Sequence, residues 1–122
     1  MLIPILLINC LIMAQTEAET IGNPTRIGSL EVAQFDFPKR MNWHDAKKAC
    51  AKLGNGWRLP TKMELSQLYQ NQVKIGGFST SYYWSSTETD IENAWRHNFS
   101  PGMSGFVANK GNEYFVRAVK IH

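Results

Sequence analysis

The chain has 122 residues, of which 43% are apolar and 19% are charged, and its formal net charge is +3. This is the composition of an ordinary globular protein, and the length allows one hydrophobic core but not two. The small positive charge is spread along the chain, which excludes the strongly basic surface expected of a nucleic-acid-binding protein.

The first fourteen residues, MLIPILLINCLIMA, are almost wholly apolar and end in a small residue. The run is too short to span a membrane and matches the apolar region of a signal peptide, although no Lys or Arg precedes it. We therefore predict that residues 1–18 are a signal peptide cleaved near Ala14 or Ala18, or else an uncleaved N-terminal anchor. The protein would then be secreted, periplasmic or on the cell surface, and any membrane contact would come from an uncleaved leader.

The chain contains two cysteines, and one of them, Cys10, lies in the predicted leader. The residues before Cys10 make a poor lipidation signal, because Asn9 occupies a position where a small residue is expected. Without the leader, Cys50 has no partner for a disulfide, so the core alone must hold the fold. A lone cysteine on the apolar face of a helix is usually a small buried hydrophobic residue, and we assign Cys50 that role.

The segment after the leader is first polar and then apolar. Residues 19–26 include Gly22 and Pro24 and are predicted to form a flexible tether. Residues 27–37 contain spaced apolar side chains and are predicted to carry the first strand, which Pro38 ends. The predicted domain therefore begins with this strand and runs to the end of the chain.

A first helix is predicted directly after this region. Asn42 is its expected N-cap, because Asp45 follows three residues later. An amphipathic stripe from Trp43 to Leu53 gives the helix an apolar face. The sequence Gly-Asn-Gly at residues 54–56 then ends it, since glycine suits the left-handed conformation at a helix C-terminus.

The stretch GWRLPTKME at residues 56–64 joins the first helix to a second one, predicted over residues 62–72. Pro60 fixes its own φ and favours an extended conformation before it. Thr61 and Glu64 form a capping box, which satisfies two backbone N–H groups at the helix start. Because the stretch also contains large apolar side chains, we expect a buried corner that sets the angle between the two helices.

The second half of the chain favours short strands. Residues 82–84 are an aromatic, β-prone run, and the hydroxyl residues 85–87 after it suit turns and cross-strand pairs. Strands are predicted over residues 94–99, 106–107 and 114–121, with a turn at 110–112. Helices early in the chain and strands late are typical of an α+β fold, in which two helices pack on a small antiparallel sheet. The first and last strands can pair, so we expect them to be adjacent.

Several motifs occur together in one order: WHDAKKAC (43–50), GWRLPT (56–61), IGGF (75–78), YWSSTE (83–88) and VRAV (116–119). With them the chain resembles the domain of unknown function 1566 (DUF1566) family, which is also named for the C-terminal domain of a Legionella collagen-like adhesin. That family is similar to C-type-lectin-like domains and to formylglycine-generating enzymes. The resemblance implies a compact C-type-lectin-like domain over residues 27–122, with its N- and C-terminal strands side by side.

The chain departs from the family pattern in two places. Ala118 stands where family members often carry a cysteine that pairs with the helix cysteine, so the resemblance implies no disulfide partner for Cys50. The calcium-binding signatures of calcium-dependent lectins are absent, so calcium-mediated sugar binding is not implied.

The residues give no support for catalysis, and we predict that the protein is not an enzyme and binds no metal or cofactor. His44, His97 and His122 lie far apart, without the spacing of metal ligands. Ser85-Ser86 lacks the flanking glycines of a nucleophile elbow. A formylglycine-generating activity is the disfavoured alternative, because those enzymes need reactive cysteines in their active site and Cys50 alone does not supply them.

A second group of residues is predicted to support the fold. Arg117 lies in a strand that should be half-buried, where an unpaired charge is costly, so we expect it to be paired with an acid or bonded to backbone carbonyls. The candidate acids are Glu64 and Glu88. The four tryptophans are assigned to the core or its edge, with a sugar-binding platform as the alternative. The predicted structural residues are Trp43, Trp57, Arg58, Pro60, Thr61, Glu64, Trp84, Trp95 and Arg117.

The irregular segment 96–109 is the best candidate for a ligand-binding face. It mixes a cation, an imidazole, amides, hydroxyls and apolar side chains, a mixture that suits adaptable recognition on a rigid scaffold. The segment is also similar to the variable region of proteins diversified by retroelements, in which surface positions on this fold differ while framework residues persist. The predicted ligand-binding residues are Arg96, His97, Asn98, Ser100, Met103, Ser104, Phe106 and Asn109.

We therefore predict an exported, non-catalytic binding module that recognises a protein or glycan ligand through residues 96–109. The alternative is a cell-surface adhesin for sulfated polysaccharide, with positive charge supplied by Lys47, Lys48, Lys52 and Arg96. Neither hypothesis requires nucleic acid.

Overall fold

The computed structural model describes residues 17–122, so the predicted leader lies almost entirely outside the described residues. Residues 17–21 are helical (α1), and the strand β1 (Thr25–Ile27) follows. Ile21 packs against the core, and its carbonyl accepts a hydrogen bond of 2.8 Å from the Gln34 N–H. The predicted flexible tether over residues 19–26 is therefore wrong, because this segment is part of the folded domain.

The predicted first strand over residues 27–37 is also wrong in its extent. β1 pairs antiparallel with β2 (Leu30–Val32), and the pairing of Ile27 with Leu30 leaves a two-residue turn between them. Gly28 lies in this turn with a φ of +58°, a left-handed conformation that is unfavourable for residues with a Cβ atom. The segment is thus a short hairpin, and the chain is irregular from residue 33 to residue 40.

The remaining elements follow the predicted order of helices first and strands last. They are α2 (Trp43–Lys52), α3 (Lys62–Gln70), α4 (Gln72–Ile75), β3 (Tyr82–Glu88), β4 (Asn93–Asn98), β5 (Gly105–Asn109) and β6 (Val119–Ile121). The predicted second helix therefore ends earlier than expected, and a further short helix follows it.

The strands form two small antiparallel sheets, in the orders β1-β2-β6 and β3-β4-β5. β2 pairs with β6, so the strands near the two ends of the described chain are adjacent, as predicted. The last strand was expected to begin at residue 114, but residues 114 and 115 make only isolated bridges, to Met41 and Tyr83. Residues 114–118 thus cross from one sheet to the other. The predicted α+β architecture is confirmed, with two antiparallel sheets in place of one.

Helix α2 begins and packs as its sequence predicts. The Asn42 side chain accepts a hydrogen bond of 2.9 Å from the Asp45 N–H. Cys50 is fully buried in a core cluster that also contains Ala118. Burial raises the pKa of the Cys50 thiol to about 12, so the thiol is protonated at neutral pH and has the chemistry of a small apolar side chain.

The corner between α2 and α3 is buried, and both halves of the predicted capping box are present. The Glu64 N–H donates to the Thr61 hydroxyl (3.2 Å), and the Thr61 N–H donates to the Glu64 carboxylate (2.9 Å). Arg58 binds the same carboxylate through two hydrogen bonds of 2.7 Å and 2.9 Å. The backbone of Arg58 also exchanges two hydrogen bonds of 2.9 Å with Val119, which ties the corner to β6.

The Arg58 guanidinium holds the pKa of the Glu64 carboxyl below its ordinary value of 4.5, with the capping hydrogen bonds acting in the same direction. A lowered pKa means that the folded state favours the ionised carboxylate. The stabilisation is therefore complete above pH 4.5 and is lost as the pH falls through the lower folded-state pKa.

Glu64→Gln should lower the unfolding free energy at neutral pH by about 1 kcal/mol. It should also reduce the loss of stability on acidification below pH 4.5, because the variant has no carboxylate to protonate at this position. Urea unfolding followed by circular dichroism between pH 7 and pH 3 measures both effects. Glu113→Gln, at an exposed position, is the control. A wild-type acid dependence in Glu64→Gln would contradict the assignment.

Arg117 is buried, as predicted, but its predicted acidic partners are wrong. Its Nε donates to Asp36 Oδ1 at 2.8 Å, and neither Glu64 nor Glu88 is its ion-pair partner. Glu64 is bound by Arg58 (2.7 Å), and Glu88 is bound by Lys110 (2.8 Å). The partner was missed because Asp36 lies 81 residues from Arg117, in an irregular segment without a periodic pattern.

Lys110, which the sequence places in a turn, is a buried charged residue. Its Nζ donates to the Glu88 carboxylate (2.8 Å) and to the Ile91 carbonyl (2.9 Å), and it lies 4.4 Å from the centre of the Trp43 ring. These contacts fix the β3–β4 connection against the start of α2.

Candidate ligand-binding site

The predicted segment 96–109 covers the end of β4, the loop after it and all of β5. In the β4–β5 ladder, Arg96 pairs with Phe106 and His97 pairs with Gly105. Because successive side chains of a strand point to opposite faces, residues that are neighbours in this segment cannot share one surface. The segment therefore contributes to two faces of the sheet, where the sequence predicted a single patch.

One face borders a pocket of about 330 Å³ between α3 and the β4–β5 hairpin. Its floor and walls are formed by Lys62, Met63, Leu65, Ser66, Ser85, Trp95, Arg96, His97, Ser104 and Gly105. Gly105 lies close to the β4 backbone, because a Cβ there would lie only 3.1 Å from the Arg96 carbonyl oxygen. The same Cβ would be at ordinary contact distance from the rings of Trp95 (3.5 Å) and His97 (3.6 Å). The pocket combines apolar surface with a cation, an imidazole and several hydroxyls.

Trp95 is half-buried in this pocket and is not a core residue, unlike Trp43, Trp57 and Trp84, which are buried as predicted. The Nζ of Lys62 lies 3.6 Å from the centre of the Trp95 ring. This cation–π contact holds an ammonium group at the pocket beside an aromatic surface. The Lys62 N–H donates to the Thr87 hydroxyl at 2.8 Å, which fixes the start of α3 against β3.

His97 lines the pocket, and one of its ring nitrogens has no hydrogen-bond partner among the described residues. Its ring lies 4.8 Å from the Tyr69 ring and 5.7 Å from the Phe99 ring, measured between centroids. Burial lowers the pKa of His97 below its ordinary value, so the imidazole is neutral at neutral pH. Its Nε2 is shielded from solvent and makes no hydrogen bond within the described chain.

The opposite face of the sheet presents an aromatic and cationic surface. The Arg96 guanidinium lies 3.6 Å from the centre of the Tyr82 ring and 4.8 Å from that of Tyr114, and its NH1 donates to the Tyr114 hydroxyl at 2.6 Å. Phe106, paired with Arg96, is 45% exposed. Because Arg96 is held between two tyrosines, it is not a free surface charge of the kind that the polysaccharide alternative requires.

The loop between β4 and β5 is held in place by α3. The Tyr69 hydroxyl donates to the Ser100 carbonyl (3.2 Å) and accepts from the Gly102 N–H (3.1 Å). The Asn98 side chain accepts from the Ser100 N–H at 2.8 Å, so both of these predicted ligand-binding residues have structural roles in the loop. Met103 remains exposed at its tip.

The structure thus separates the eight predicted ligand-binding residues into groups. His97 and Ser104 lie at the pocket, and Arg96 also borders it, but the Arg96 guanidinium lies on the opposite face with Phe106. Asn98 and Ser100 shape the loop, and Met103 and Asn109 are exposed. The sequence analysis missed Lys62, Met63 and Ser66. Their signal was the i, i+1, i+4 spacing of solvent-facing residues at the start of α3, but only the packing of α3 against β4 shows that they border the hairpin.

The pocket residues are suited to holding a ligand through non-covalent contacts. Among residues 17–122, no group of three or more His, Cys, Asp or Glu side chains is placed to hold a metal ion. Within the same residues, none of the helices has the length and apolar character needed to cross a bilayer.

Several solved structures share this fold, and they include C-type-lectin-like snake venom proteins. EMS16, an antagonist of the collagen receptor integrin α2β1, has a TM-score of 0.63 and 11% identity, covering 83% of this chain and 98% of its own. Botrocetin has a TM-score of 0.64 and 12% identity, covering 82% of this chain and 96% of its own. The snake venom toxin convulxin has a TM-score of 0.64 and 14% identity, covering 83% and 96%.

Identities this low establish the fold and nothing more specific. No curated protein sequence matches the chain. The family model of the Lcl C-terminal domain matches residues 15–120. This range includes every residue of the pocket and all the strands, apart from the last residue of β6. The chain therefore belongs to the Lcl C-terminal domain family.

Proposed function

We propose that the protein is an exported, non-catalytic binding module that recognises a protein or glycan ligand at the pocket between α3 and the β4–β5 hairpin. The observation that carries the proposal is the half-buried Trp95 ring at this pocket, with the Lys62 ammonium 3.6 Å from its centre and His97 in the same pocket wall. A ligand that offers an apolar or ring surface to Trp95 and a hydrogen-bonding group to His97 would complement the site. An acidic group on the ligand would be favoured by Lys62.

The surrounding structure supports binding in preference to catalysis. The buried Cys50 thiol is protonated and lies in the core, so it cannot act as the reactive cysteine of a formylglycine-generating enzyme. The pocket is held by α3 and by the β4–β5 ladder, which gives it the rigid frame that recognition requires. EMS16 is named as an antagonist of a receptor, and a protein ligand for this chain is consistent with that role on the same fold.

Substitution of the pocket should abolish binding while leaving the fold intact. The chain would be screened on an array of purified glycans and an array of secreted and cell-surface proteins, and the strongest binder would then be titrated against variants. Lys62→Ser combined with His97→Ser should weaken that binding by about tenfold or more, because both polar groups at the pocket are lost. Thermal unfolding should change by only a few degrees, since Lys62 is exposed and His97 is half-buried.

Two matched variants localise the effect. Phe106→Ser changes the opposite face, and Val73→Ser changes a residue that is 96% exposed in α4, so both should bind as the wild type does. Loss of binding in Phe106→Ser together with full binding by the pocket variant would assign the ligand to the opposite face and refute the proposal.

A further inference from the structure

The outer edge of the β3-β4-β5 sheet is formed by β5, whose first residue, Gly105, also lines the pocket. β5 is the terminal strand, and among the described residues no strand pairs with its outer side. Edge strands are usually protected by charged side chains, by proline or by a bulge, because an open edge is a template for pairing with another chain. β5 has the sequence Gly-Phe-Val-Ala-Asn and an unbroken register with β4, so it has none of these protections.

The register shows which backbone groups of β5 face outward. The ladder continues at its two ends through hydrogen bonds from the Asn98 N–H to the Ser104 carbonyl (3.3 Å) and from the Lys110 N–H to the Glu92 carbonyl (2.8 Å). In an antiparallel pair, directly opposed residues alternate between hydrogen-bonded and non-bonded. The even-numbered residues of β5 therefore bond to β4, and the odd-numbered residues direct their backbone groups away from the sheet.

The outward backbone groups belong to Gly105, Val107 and Asn109. The partial charges of these N–H and C=O groups are complementary to those of the same groups in a second copy. A two-fold axis at Val107 would place this residue opposite its own counterpart and Gly105 opposite the counterpart of Asn109. Each outward N–H would then face an outward carbonyl, and the Asn109 carbonyl would accept a second hydrogen bond beside its present one of 3.1 Å from the Asn112 N–H. Because no side chain of β5 is ionised, no like charges would oppose each other across the axis.

The exposed side chains fit the same register. Phe106 and Val107 are 45% and 44% exposed, although both belong to a strand. Across the axis, Phe106 would lie opposite the counterpart of Ala108, whose small side chain leaves room for the phenyl ring. Val107 would pack against its own counterpart, and β-branched pairs stabilise neighbouring strands.

We propose that the chain forms a weak, symmetric dimer in which β5 pairs antiparallel with β5 of a second copy, joining the two sheets into one. The contact involves a five-residue strand, so it buries less than the roughly 800 Å² per partner of a standard interface, and association requires high concentration. An axis perpendicular to the sheet keeps the pockets of both copies on the same face, side by side.

Amide hydrogen exchange, measured by NMR at increasing concentrations of the chain purified from cells that express the whole sequence, tests the register directly. The amides of Gly105, Val107 and Asn109 should become more protected as concentration rises. Those of Phe106 and Ala108 should be protected at every concentration, because they bond to β4. Sedimentation velocity over the same range should show a growing dimer fraction.

Val107→Pro removes one outward N–H and none of the bonds to β4, and proline is tolerated at this kind of edge position. It should lower the association constant by about tenfold or more, since both symmetric hydrogen bonds at the axis are lost. Val107→Thr, which keeps the backbone donor and the β-branched shape, should dimerise as the wild type does. Val107→Lys, which places like charges opposite each other, should be monomeric.

Three results would overturn the proposal. One is a wild-type chain that stays monomeric at all concentrations, another is a Val107→Pro variant that dimerises as the wild type does, and the third is equal protection of odd and even amides in dilute solution. Because these substitutions leave Lys62 and His97 unchanged, the outcome does not depend on whether the pocket binds the proposed ligand.

Discussion

Replacing Asp36 with Ala should lower the unfolding free energy by about 3–5 kcal/mol, because it leaves the Arg117 guanidinium buried without its counter-ion. The Arg117 side chain is completely buried, and Asp36 is its ion-pair partner at 2.8 Å. The remaining Arg117 hydrogen bonds go to the neutral carbonyls of Ala33 and Gly76, each at 3.2 Å, and the guanidinium lies 4.1 Å from the centre of the Phe78 ring. These uncharged groups cannot neutralise the guanidinium charge, which the substitution leaves buried without a counter-ion.

Asp36 also connects the arginine to the aromatic core. The Tyr83 hydroxyl donates to the second Asp36 oxygen at 2.6 Å and accepts from the Ser79 N–H at 2.7 Å. Burial raises the pKa of Asp36, and this effect exceeds the opposing influence of Arg117 and of the Tyr83 hydroxyl. The network joins segments 33–36, 76–79 and 115–117, so its loss should affect the whole domain cooperatively.

A double-mutant cycle separates the pairing of Asp36 and Arg117 from their individual contributions. Asp36→Ala, Arg117→Met and the double variant would be unfolded in urea and followed by circular dichroism. The double variant should be less destabilised than the sum of the single ones, because no isolated charge remains. The control is the partly exposed pair of Lys120 and Glu31, at 3.7 Å, where Glu31→Gln should cost about 1 kcal/mol or less. Additive free energies in the cycle would refute the coupling.

Replacing Trp84 with Ala should lower the unfolding free energy by about 3–5 kcal/mol. The indole is completely buried, and it lies 4.7 Å from the Tyr114 ring in an edge-to-face contact. Its Nε1 donates to the Met41 carbonyl at 2.9 Å, which holds the segment before α2 against β3. The substitution creates a cavity and removes one of the two donors to that carbonyl, which also accepts from the Tyr114 N–H at 3.0 Å.

Trp84→Phe divides the effect into its two causes. It keeps most of the apolar volume but removes the donor, and should cost about 1–3 kcal/mol. Trp95→Phe is the matched control, because Trp95 is half-buried at the pocket, and it should change stability by about 1 kcal/mol or less. Chemical denaturation measures all three. Equal losses for Trp84→Phe and Trp95→Phe would contradict the distinction between a core indole and a pocket indole.

Local sequence signals predicted the helices well, because their information is contained within a few residues. Asn42 and the Thr61–Glu64 capping box fix where α2 and α3 begin, and proline and glycine mark the limits between them. The same reasoning failed over residues 19–37. There the turn at Gly28 divides the expected strand, and a tertiary contact of Ile21 orders the expected tether.

The candidate site was predicted only as a segment, since a one-dimensional pattern does not show which face each side chain occupies. Strand alternation separates His97 from Arg96, and the packing of α3 brings Lys62 to the face that holds His97 and Trp95. Residues more than thirty positions apart thus form one pocket, while neighbours in sequence are separated by the sheet.

The sequence by itself determined the family, the capped helices and the α+β order of elements, because these depend on short motifs and local backbone preferences. Only the tertiary structure decided the partner of Arg117, the position of Trp95 at the pocket and the open edge of β5. Each of these depends on which distant segments are in contact. The free energy of those contacts comes from burial and charge pairing, and neither produces a periodic pattern in the sequence.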